Sequence, residues 1–404
     1  MKVLWFSHLS SAYLPEKGGY NGGGWISSLL DEMRSNPKIQ LGMAFFHPDD
    51  CFRTERDGIS FYPMRRPASI VDRVDRFFRI SRQTEAELAL CRKVIDDFKP
   101  DVIHVFGTES SFGLLAPEVD VPVVIHLQGL LHPYFNAWLP PGYSRWDCYR
   151  RNGLTPVSIA LSIRALAFNR IAARRELEIL KRAHNFMGRT DWDRAYCRLF
   201  APQARYFHCE ETLRPVFLEP SKRIPPRRPI LVSTISNPLY KGHDMILKTA
   251  RVLADSGMCD FEWRVFGVSN LDFAARKAGI CPQDVHVRAM GVAKPERLKE
   301  ELLGCSLYVH PSYIDNSPNS VCEAQVLGVP VVATNVGGVS SLFLGDDRSG
   351  LVPANDPVSM ADAIRMALSG NLVRDANPYR NRHDPKAIGE RVLSIYKDIA
   401  ARPR

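Results

Sequence analysis

Short apolar runs alternate with longer amphipathic stretches through the first half of the chain. The runs KVLWFSH, IQLGMAFF, DVIHVFG and VPVVIHLQG are rich in β-branched and aromatic residues and predict buried strands. Between them, GWISSLLDEMR and a basic stretch over residues 72–98 predict helices. Strands separated by helices are typical of a parallel sheet with right-handed crossovers. The first half therefore predicts a Rossmann-like domain.

A long stretch without glycine or proline follows, from Val157 to Ala183. Its apolar residues can line one face of a helix, so the pattern predicts a long amphipathic helix. Prolines then cluster at 220, 225, 226 and 229, which is typical of a connector between domains.

The same alternation returns after the connector. ILVSTIS, FEWRVFG, CSLYVHPS and PVVATNV predict strands, while HDMILKTARVLADSG and residues 294–303 and 319–327 predict helices. The pattern predicts an α/β protein with two facing Rossmann-like domains, parallel sheets and an interdomain cleft, over residues 1–208 and 209–385. A last helix within 386–404, in AIGERVLSIYKDIA, is expected to pack back across the interface. Open parallel sheets bind ligands at the carboxyl ends of their strands.

Length and composition agree with this organisation. The chain has 404 residues, which favours two domains, and 45% hydrophobic against 24% charged residues, which is typical of a folded protein. No uncharged apolar run reaches about 18 residues, and the N-terminus turns polar too early for a signal peptide, so we expect a cytoplasmic protein. The nine cysteines form no CxxC pair, which favours free thiols and no structural metal.

The net charge of +9 is concentrated in one region. Residues 145–182 carry nine basic side chains against three acidic ones. Such a patch attracts polyanions, including the anionic inner face of a membrane, although an arginine-rich solvated helix face explains it equally well. We expect no nucleic-acid partner, because neither an aromatic-interleaved RNA signature nor zinc-finger spacing accompanies the patch.

The segment from Tyr308 to Gly338 carries the most chemical information. A buried strand ends at His310, a loop of small and polar residues follows, and a helix is predicted to begin near Asn319 and Ser320. Loop amides and a helix N-terminus together suit a diphosphate. Asp315 and Glu323 lie eight residues apart, so both carboxylates can face one cleft and bind hydroxyl groups of a sugar or ribose.

This segment resembles glycosyltransferase family 4, a GT-B family in which a Glu, seven residues and a second Glu precede Gly-x-Pro-Val-Val and a Gly-Gly pair. The matching residues are Asp315, Glu323, Gly328–Val332 and Gly337–Gly338. The resemblance implies that Glu323 holds the donor ribose and that Asp315, Asn316 and Ser317 lie along the donor sugar and phosphates. Asp315 departs from the family, which usually has Glu there.

The resemblance also assigns a diphosphate contact to Lys241, in VSTISNPLYKGHDMILKTA. Most members have an Arg five residues earlier, where this chain has Ser236. Arg189 is a candidate substitute, because GRTDWDR resembles a segment of the capsule and exopolysaccharide branch of the family. A salt bridge from Arg189 to Asp191 or Asp193 is the alternative.

In the first half, the resemblance places a glycine loop beside the donor phosphates. Gly22, Gly23 and Gly24 match it, because they follow the first strand and open the first helix. Glycine runs in loops are also common as flexible connectors. The fingerprint GxGxxG with a later acidic residue is absent, which argues against a dinucleotide-dependent dehydrogenase.

Where many family members have a reactive His, this chain has Gln128. Gln128 cannot act as a base and is expected to contact the donor sugar or the acceptor. His126 and His132 have either a functional or a packing role. The segment DVIHVFGTES, which contains His104 and Glu109, also resembles the polysaccharide branch of the family.

The resemblance implies that two further loops bind the donor. Gly267 and Gly291–Val292 end predicted strands of the second domain, and the family places such loops around the nucleobase and its ribose. Plain turns are the alternative for both positions.

Together, the patterns and the resemblance predict a retaining, metal-independent glycosyltransferase, in which residues 1–208 form the acceptor-side domain and residues 209–385 form the nucleotide-sugar donor domain. It would move a sugar from a UDP- or GDP-linked donor to a glycan or lipid-linked oligosaccharide in polysaccharide biosynthesis, with no cofactor beyond the donor itself and possible contact with an anionic membrane surface. Two alternatives stay open: a nucleotide-sugar epimerase of the same fold, and a catalytically impaired protein that binds nucleotide sugars or glycans.

Overall fold

The computed structural model describes residues 1–9, 13, 24–48, 52–66, 80–371 and 373–402. The chain divides into two compact units. The first contains Met1–Phe135, Ala160–Thr212 and Asp384–Arg404, and the second contains Asn136–Ile159 and Leu213–His383. The sequence pattern placed the boundaries at 208/209 and 385/386 and gave no sign that residues 136–159 group with the second unit.

Fourteen strands form two sheets among the described residues. The strands, in chain order, are β1 Lys2–Phe6, β2 Gln40–Phe46, β3 Thr54–Arg56, β4 Ile59–Met64, β5 Val102–Phe106, β6 Val123–His126, β7 Asn185–Gly188, β8 Arg205–His208, β9 Ile230–Thr234, β10 Glu262–Phe266, β11 Val287–Gly291, β12 Leu307–His310, β13 Val331–Thr334 and β14 Leu351–Val352.

The α-helices connect these strands. They are α1 Gly24–Arg34, α2 Ile80–Phe98, α3 Leu131–Asn136, α4 Arg145–Asn152, α5 Pro156–Arg182, α6 Asp191–Phe200, α7 Pro215–Leu218, α8 His243–Asp255, α9 Asp272–Ala278, α10 Pro295–Leu303, α11 Asn319–Val326, α12 Pro357–Ser369, α13 Asn377–Arg382 and α14 Pro385–Ala400.

The first unit is built on an eight-stranded sheet in the order β3-β4-β2-β1-β5-β6-β7-β8. Only the pair β3 and β4 is antiparallel. Residues 3–6 of β1 and all of β5 and β6 are buried, as expected for parallel strands covered on both faces. The chain leaves β1 towards β2 on one side and returns to β5 on the other, so the strand order reverses beside β1.

The C-terminal helix α14 belongs to the first unit. The indole nitrogen of Trp5 donates to the Tyr396 hydroxyl at 3.0 Å, and the His104 Nδ1 lies 2.6 Å from the same oxygen. All three side chains are buried. Because the first strand and the last helix share this hydrogen-bonded cluster, both ends of the chain stabilise one core.

The second unit has a six-stranded, fully parallel sheet in the order β11-β10-β9-β12-β13-β14. Strand order reverses between β9 and β12, which is the topological switch point of this sheet. The loops that follow β9 and β12 meet at this point, at the carboxyl ends of the strands, where open parallel sheets have their ligand-binding crevice. These two loops carry Lys241 and Asp315.

The predicted long helix is confirmed as α5, but its apolar residues do not all pack against the protein. In the part of α5 that belongs to the first unit, Leu161, Ile163 and Phe168 are each 52% exposed. No helix among the described residues is both long enough and apolar enough to cross a bilayer. The eight cysteines in the described ranges are free thiols.

Candidate functional site

A glycine joins the loops after β9 and β12. Gly242 has φ 79°, and a Cβ there would lie 2.1 Å from the carbonyl oxygen of Pro311. Only glycine permits both this conformation and this approach. The backbone N–H of Tyr313 donates to the carbonyl of Tyr240 at 2.7 Å across the same contact. The sequence Lys-Gly therefore fixes Lys241 beside the loop that carries Asp315.

Lys241 and Asp315 form an ion pair at the switch point. The ammonium donates to the Asp315 carboxylate at 2.6 Å, and the His310 Nε2 lies 3.1 Å from the same oxygen. Asp315 is 5% exposed. Burial opposes ionisation, but the positive charge of Lys241 and the contact with His310 outweigh it and hold the pKa of Asp315 well below its usual range. The Asp315 carboxyl group is therefore ionised at neutral pH.

The N-terminus of α11 opens beside this pair. The buried backbone N–H of Asn316 donates to Asp315 at 3.1 Å, and Ser317 follows it in the loop. Asn319 and Ser320 form the first turn of α11 and are partly exposed. The backbone N–H groups at a helix N-terminus and the helix dipole make such an end attractive to anions. The five residues predicted from this loop and helix thus lie together around one electropositive helix end.

Glu323 lies in the same helix, but its carboxylate already has a partner. Arg214 donates to it through two nitrogens, at 2.7 and 2.6 Å, and Glu323 is 2% exposed. The guanidinium also lies over the ring of Phe217. Sequence reasoning missed Arg214, since no local pattern distinguishes it from the other arginines. A ribose held by Glu323 would have to share the carboxylate with this guanidinium.

Residues 136–159 bring a second cation to the loop after β9. Arg151 of α4 donates to the backbone carbonyl of Asn237, next to Ser236. Asp147 of the same helix pairs with Lys277 of α9 at 3.0 Å, which anchors the segment on the second unit. Burial lowers the pKa of Arg151, which stays far above neutrality. The loop that lacks the expected arginine at position 236 therefore receives a guanidinium from another part of the chain.

The two predicted loops that follow β10 and β11 differ in how closely they are packed. Gly267 has φ 93°, and a Cβ there would lie 2.0 Å from the Ile235 carbonyl, so this glycine brings the loop after β10 against the loop after β9. Val292 is 70% exposed, beyond the end of β11. The structure thus links Gly267 closely to the central loops and leaves Val292 at the surface.

The remaining predicted residues lie in the first unit. Gly24 begins α1, whereas Gly22 and Gly23 lie outside the described residues. Gln128 follows β6 and is partly buried. Arg189 is 1% exposed, and its guanidinium lies 3.3 Å from buried Glu211. Arg189 would have to leave this ion pair to reach a diphosphate, and its role in donor binding stays a prediction.

The two histidines near Gln128 have packing partners. His126 is 1% exposed and lies against Trp25 and His104, and burial lowers its pKa to about 3, so it is neutral at physiological pH. His132 is partly exposed, with Nδ1 2.5 Å from the hydroxyl of Tyr196. Among the described residues, no group of three His, Cys, Asp or Glu side chains is arranged to hold a metal ion.

Residues 227–370, which contain the switch point of the second sheet, match the family model described as Glycosyl transferases group 1. These residues are thus similar to a group 1 glycosyltransferase domain. The match covers the Lys241–Asp315 pair, the N-terminus of α11 and Glu323. The predicted relation to this class of glycosyltransferases is therefore confirmed for the segment that carries the candidate site.

Two curated glycosyltransferases are similar to part of the chain. D-inositol 3-phosphate glycosyltransferase of Acidothermus cellulolyticus is 31% identical over 114 residues, which are 27% of this chain and 25% of that protein. The amylovoran biosynthesis glycosyltransferase AmsK of Erwinia amylovora is 28% identical over 137 residues, 32% of this chain and 33% of AmsK. The chain thus spans a third or less of these relatives' lengths.

Two solved structures resemble the whole chain. Sucrose-phosphate synthase from Thermosynechococcus elongatus has a TM-score of 0.62 at 16% identity and covers 99% of this chain and 96% of its own. Anabaena HepE, solved in complex with UDP and glucose, has a TM-score of 0.59 at 16% identity, with 99% and 98% coverage. These neighbours confirm the predicted α/β fold with two Rossmann-like domains.

Proposed function

We propose that this protein is a retaining glycosyltransferase that uses a nucleoside diphosphate sugar as donor and a glycan or lipid-linked oligosaccharide as acceptor in polysaccharide biosynthesis. The observation that carries the proposal is the ion pair of Lys241 and Asp315, which lies at the topological switch point of a group 1 glycosyltransferase domain, beside the N-terminus of α11. Support for the donor class comes from HepE, whose structure contains UDP and glucose. AmsK, named for amylovoran biosynthesis, supports the acceptor class.

The chemistry required is the departure of an anionic diphosphate. When the bond from the anomeric carbon to the donor phosphate breaks, negative charge grows on the phosphate oxygens. Lys241, the N–H groups of α11 and the nearby guanidinium of Arg151 supply positive potential to this loop region. Stabilisation of the leaving group is then the main catalytic contribution, with neither a metal nor a further cofactor in the proposal.

Asp315 and Glu323 have complementary roles in this scheme. Asp315 holds the ammonium of Lys241 in place. Its second oxygen can accept a hydrogen bond from a hydroxyl group of the donor sugar. Glu323 accepts hydrogen bonds from the ribose hydroxyl groups. Arg214 keeps the buried carboxylate of Glu323 charged and oriented. Gly267, Val292 and the glycines at 22–24 remain proposed contacts of the donor, and Gln128 remains a proposed contact of the sugar being transferred or of the acceptor.

We further propose that the protein is cytoplasmic and docks on an anionic membrane surface through the exposed part of α5. Leu161, Ile163 and Phe168 are exposed on the same helix as Arg164 and Arg170. Exposed apolar side chains among arginines are typical of helices that bind in the headgroup region. We expect the full chain to bind vesicles of equal parts phosphatidylglycerol and phosphatidylcholine, and to bind them less in about 1 M salt.

A matched pair of variants tests this docking surface. Phe168→Ser should weaken vesicle binding, whereas Val358→Ser changes an exposed apolar residue of the second unit, 62% exposed, and should not. Equal loss in both variants, or no binding of the wild type at low salt, would remove the membrane from the proposal.

A donor screen tests the enzymatic proposal. We expect one of UDP-glucose, UDP-galactose, UDP-N-acetylglucosamine and GDP-mannose to raise the melting temperature, because a ligand bound only to the native state stabilises it. That donor is then incubated with and without a panel of p-nitrophenyl hexosides, and the products are separated. Transfer to a hexoside supports the proposal; a changed nucleotide sugar formed from donor alone identifies an epimerase, and donor binding without any product identifies a binding protein.

A further inference from the structure

Glu109 occupies the switch point of the first sheet. It follows β5 by three residues, on the side of β1 where the strand order reverses. The intervening Gly107 has φ 76°, and its N–H donates to the carbonyl of His126 at 2.8 Å, which ties this loop to the end of β6. Ligands of open parallel sheets bind at such points. The function proposed above makes no use of this carboxyl group.

The Glu109 carboxyl group folds back over the glycine. Its Oε2 lies 1.8 Å from the position that a Cβ on Gly107 would take, so only glycine leaves room for it. Oε2 is buried and has no hydrogen-bond partner among the described residues. A buried acceptor atom without a partner is uncommon and calls for a ligand or water to satisfy it.

An aromatic surface lies beside this carboxyl group. Measured from a Cβ position on Gly129, Oε1 of Glu109 is 4.0 Å away and the Tyr134 hydroxyl is 3.9 Å away. The ring of Tyr134 stacks on Trp192, with centroids 6.2 Å apart and planes at 22°, and both rings are partly exposed. Carboxylates accept hydrogen bonds from sugar hydroxyls, and aromatic faces pack against apolar faces of sugar rings.

The charged neighbours Glu176 and Arg175 make their hydrogen bonds to groups other than the Glu109 carboxylate, which leaves this carboxylate available to a ligand. Glu176 of α5 is fully engaged: it accepts from the Thr108 hydroxyl at 2.6 Å and from the backbone N–H groups of Leu131 and His132, both at 2.8 Å. Arg175 donates to the backbone carbonyl of Glu109, not to its carboxylate. Burial, with a smaller contribution from Glu176, raises the pKa of Glu109 to about 7.

We propose that Glu109 is an acceptor-binding residue, whose Oε2 accepts a hydrogen bond from a hydroxyl group of the acceptor sugar while the Tyr134–Trp192 surface supports the sugar ring. This inference rests on the proposed transferase function. It places hydroxyl groups of a neutral ligand at Glu109 in the first unit, whereas the cation proposed for the donor diphosphate, Lys241, lies in the second.

The binding of p-nitrophenyl hexosides in the absence of the sugar donor, measured by saturation-transfer NMR, tests the proposal. This measurement does not depend on sugar transfer. We expect the wild type to bind at least one hexoside, with affinity that increases between about pH 6 and pH 8, because the ionised carboxylate is the stronger acceptor. Glu109→Gln should bind it about tenfold more weakly, without the pH dependence. Glu109→Asp should keep part of the pH dependence, and Glu178→Gln, at an exposed position of α5, should behave like the wild type.

Stability gives a second readout. Because the folded pKa of Glu109 lies above its unfolded value, its contribution to stability is present at low pH and is lost as the pH rises through about 7. Glu109→Gln should therefore melt several degrees higher than the wild type at about pH 8 and equally at about pH 5. Both proteins should keep the melting-temperature shift caused by the nucleotide sugar.

Equal hexoside binding by the wild type and Glu109→Gln, or no binding by either, would overturn the assignment. A nucleotide sugar that stabilises neither protein would instead contradict the proposed transferase function, whatever the hexoside result.

Discussion

Replacement of Lys241 by Met separates the catalytic contribution that we propose for this residue from its structural one. The ammonium is 2.6 Å from Asp315, and the two side chains are 20% and 7% exposed. Met keeps most of the side-chain volume and removes only the charge. Asp315 is then left in a buried position beside His310, where burial favours the protonated form, so its pKa should rise.

The expected loss of stability follows from this burial. Breaking a buried pair by removing one partner costs about 3–5 kcal/mol, and the partial exposure of Lys241 favours the lower end, about 3 kcal/mol. For a domain of this size, that loss lowers the melting temperature by roughly 6–12 °C. In the wild type, the stability that Asp315 contributes is present above its unfolded pKa and lost only as the pH falls through its depressed folded pKa; in Lys241→Met the loss should begin at higher pH.

The double variant Lys241→Met/Asp315→Asn decides between the two roles. Without either charge, the unfolding free energy should return to within about 1 kcal/mol of the wild type, since no uncompensated charge stays buried. Transfer should remain at least about tenfold reduced, or about 1.4 kcal/mol, in both variants because the leaving diphosphate has lost its cation. Melting curves and initial transfer rates with the best donor from the screen measure the two quantities.

Lys248→Met is the matched control. Lys248 pairs with buried Asp244 at 2.7 Å on α8 of the same unit, so its removal should reduce stability but leave transfer by the folded protein unchanged. If the double variant recovers transfer together with stability, Lys241 has only a structural role and the reasoning from leaving-group charge is refuted. If Lys248→Met reduces transfer as much as Lys241→Met, the effect is not specific to the switch point.

Three further predictions concern residues that position the site. Arg214→Met leaves Glu323 buried and unpaired, so the unfolding free energy should fall by about 3–5 kcal/mol in chemical denaturation; a fall below about 1 kcal/mol would contradict the pairing. Gly242→Ala introduces a Cβ at φ 79° and 2.1 Å from the Pro311 carbonyl, and should cost at least about 2 kcal/mol; an unchanged denaturation midpoint would show that the turn relaxes. Glu176→Ala removes an acceptor of three hydrogen bonds and should cost about 3–5 kcal/mol, whereas Glu176→Gln should cost less; equal losses would show that packing, not hydrogen bonding, dominates.

The sequence predicted the central strands of both sheets and seven of the 14 α-helices among the described residues, because each of these elements has a strong apolar pattern. Residues 3–6 of β1 and every residue of β5 and β12 are buried, and such continuous apolar runs are visible without a structure. The short strands β3, β7 and β8 were not predicted, since they have three or four residues and carry no period. The grouping of residues 136–159 with the second unit was also not predictable, because it depends on contacts with residues far away in the sequence, such as the ion pair of Asp147 with Lys277.

Some residues of the candidate site could be predicted from local sequence patterns, and others could not. Lys241, Asp315 and the start of α11 could be predicted, since each lies in a contiguous motif at the end of a strand. Arg214 and Arg151 could not, because they reach the site from distant parts of the chain and their partners are identified only by folding. Single arginines carry no periodicity, and pairing information is absent from one sequence.

The two sheets offer opposite electrostatics at equivalent topological points, and this difference supports a division of labour. In the second unit, Lys241 and a helix N-terminus face the crevice, an environment that favours a diphosphate. In the first unit, the loop after β5 presents Glu109 next to buried Glu176, which would repel a diphosphate but accepts hydrogen bonds from neutral hydroxyl groups. A donor and an acceptor differ in this same property, so charge alone would direct each ligand to its own sheet. Replacement of Glu109 by a neutral residue should therefore weaken hexoside binding, while nucleotide-sugar binding persists. Replacement of Lys241 by a neutral residue should weaken nucleotide-sugar binding, while hexoside binding persists.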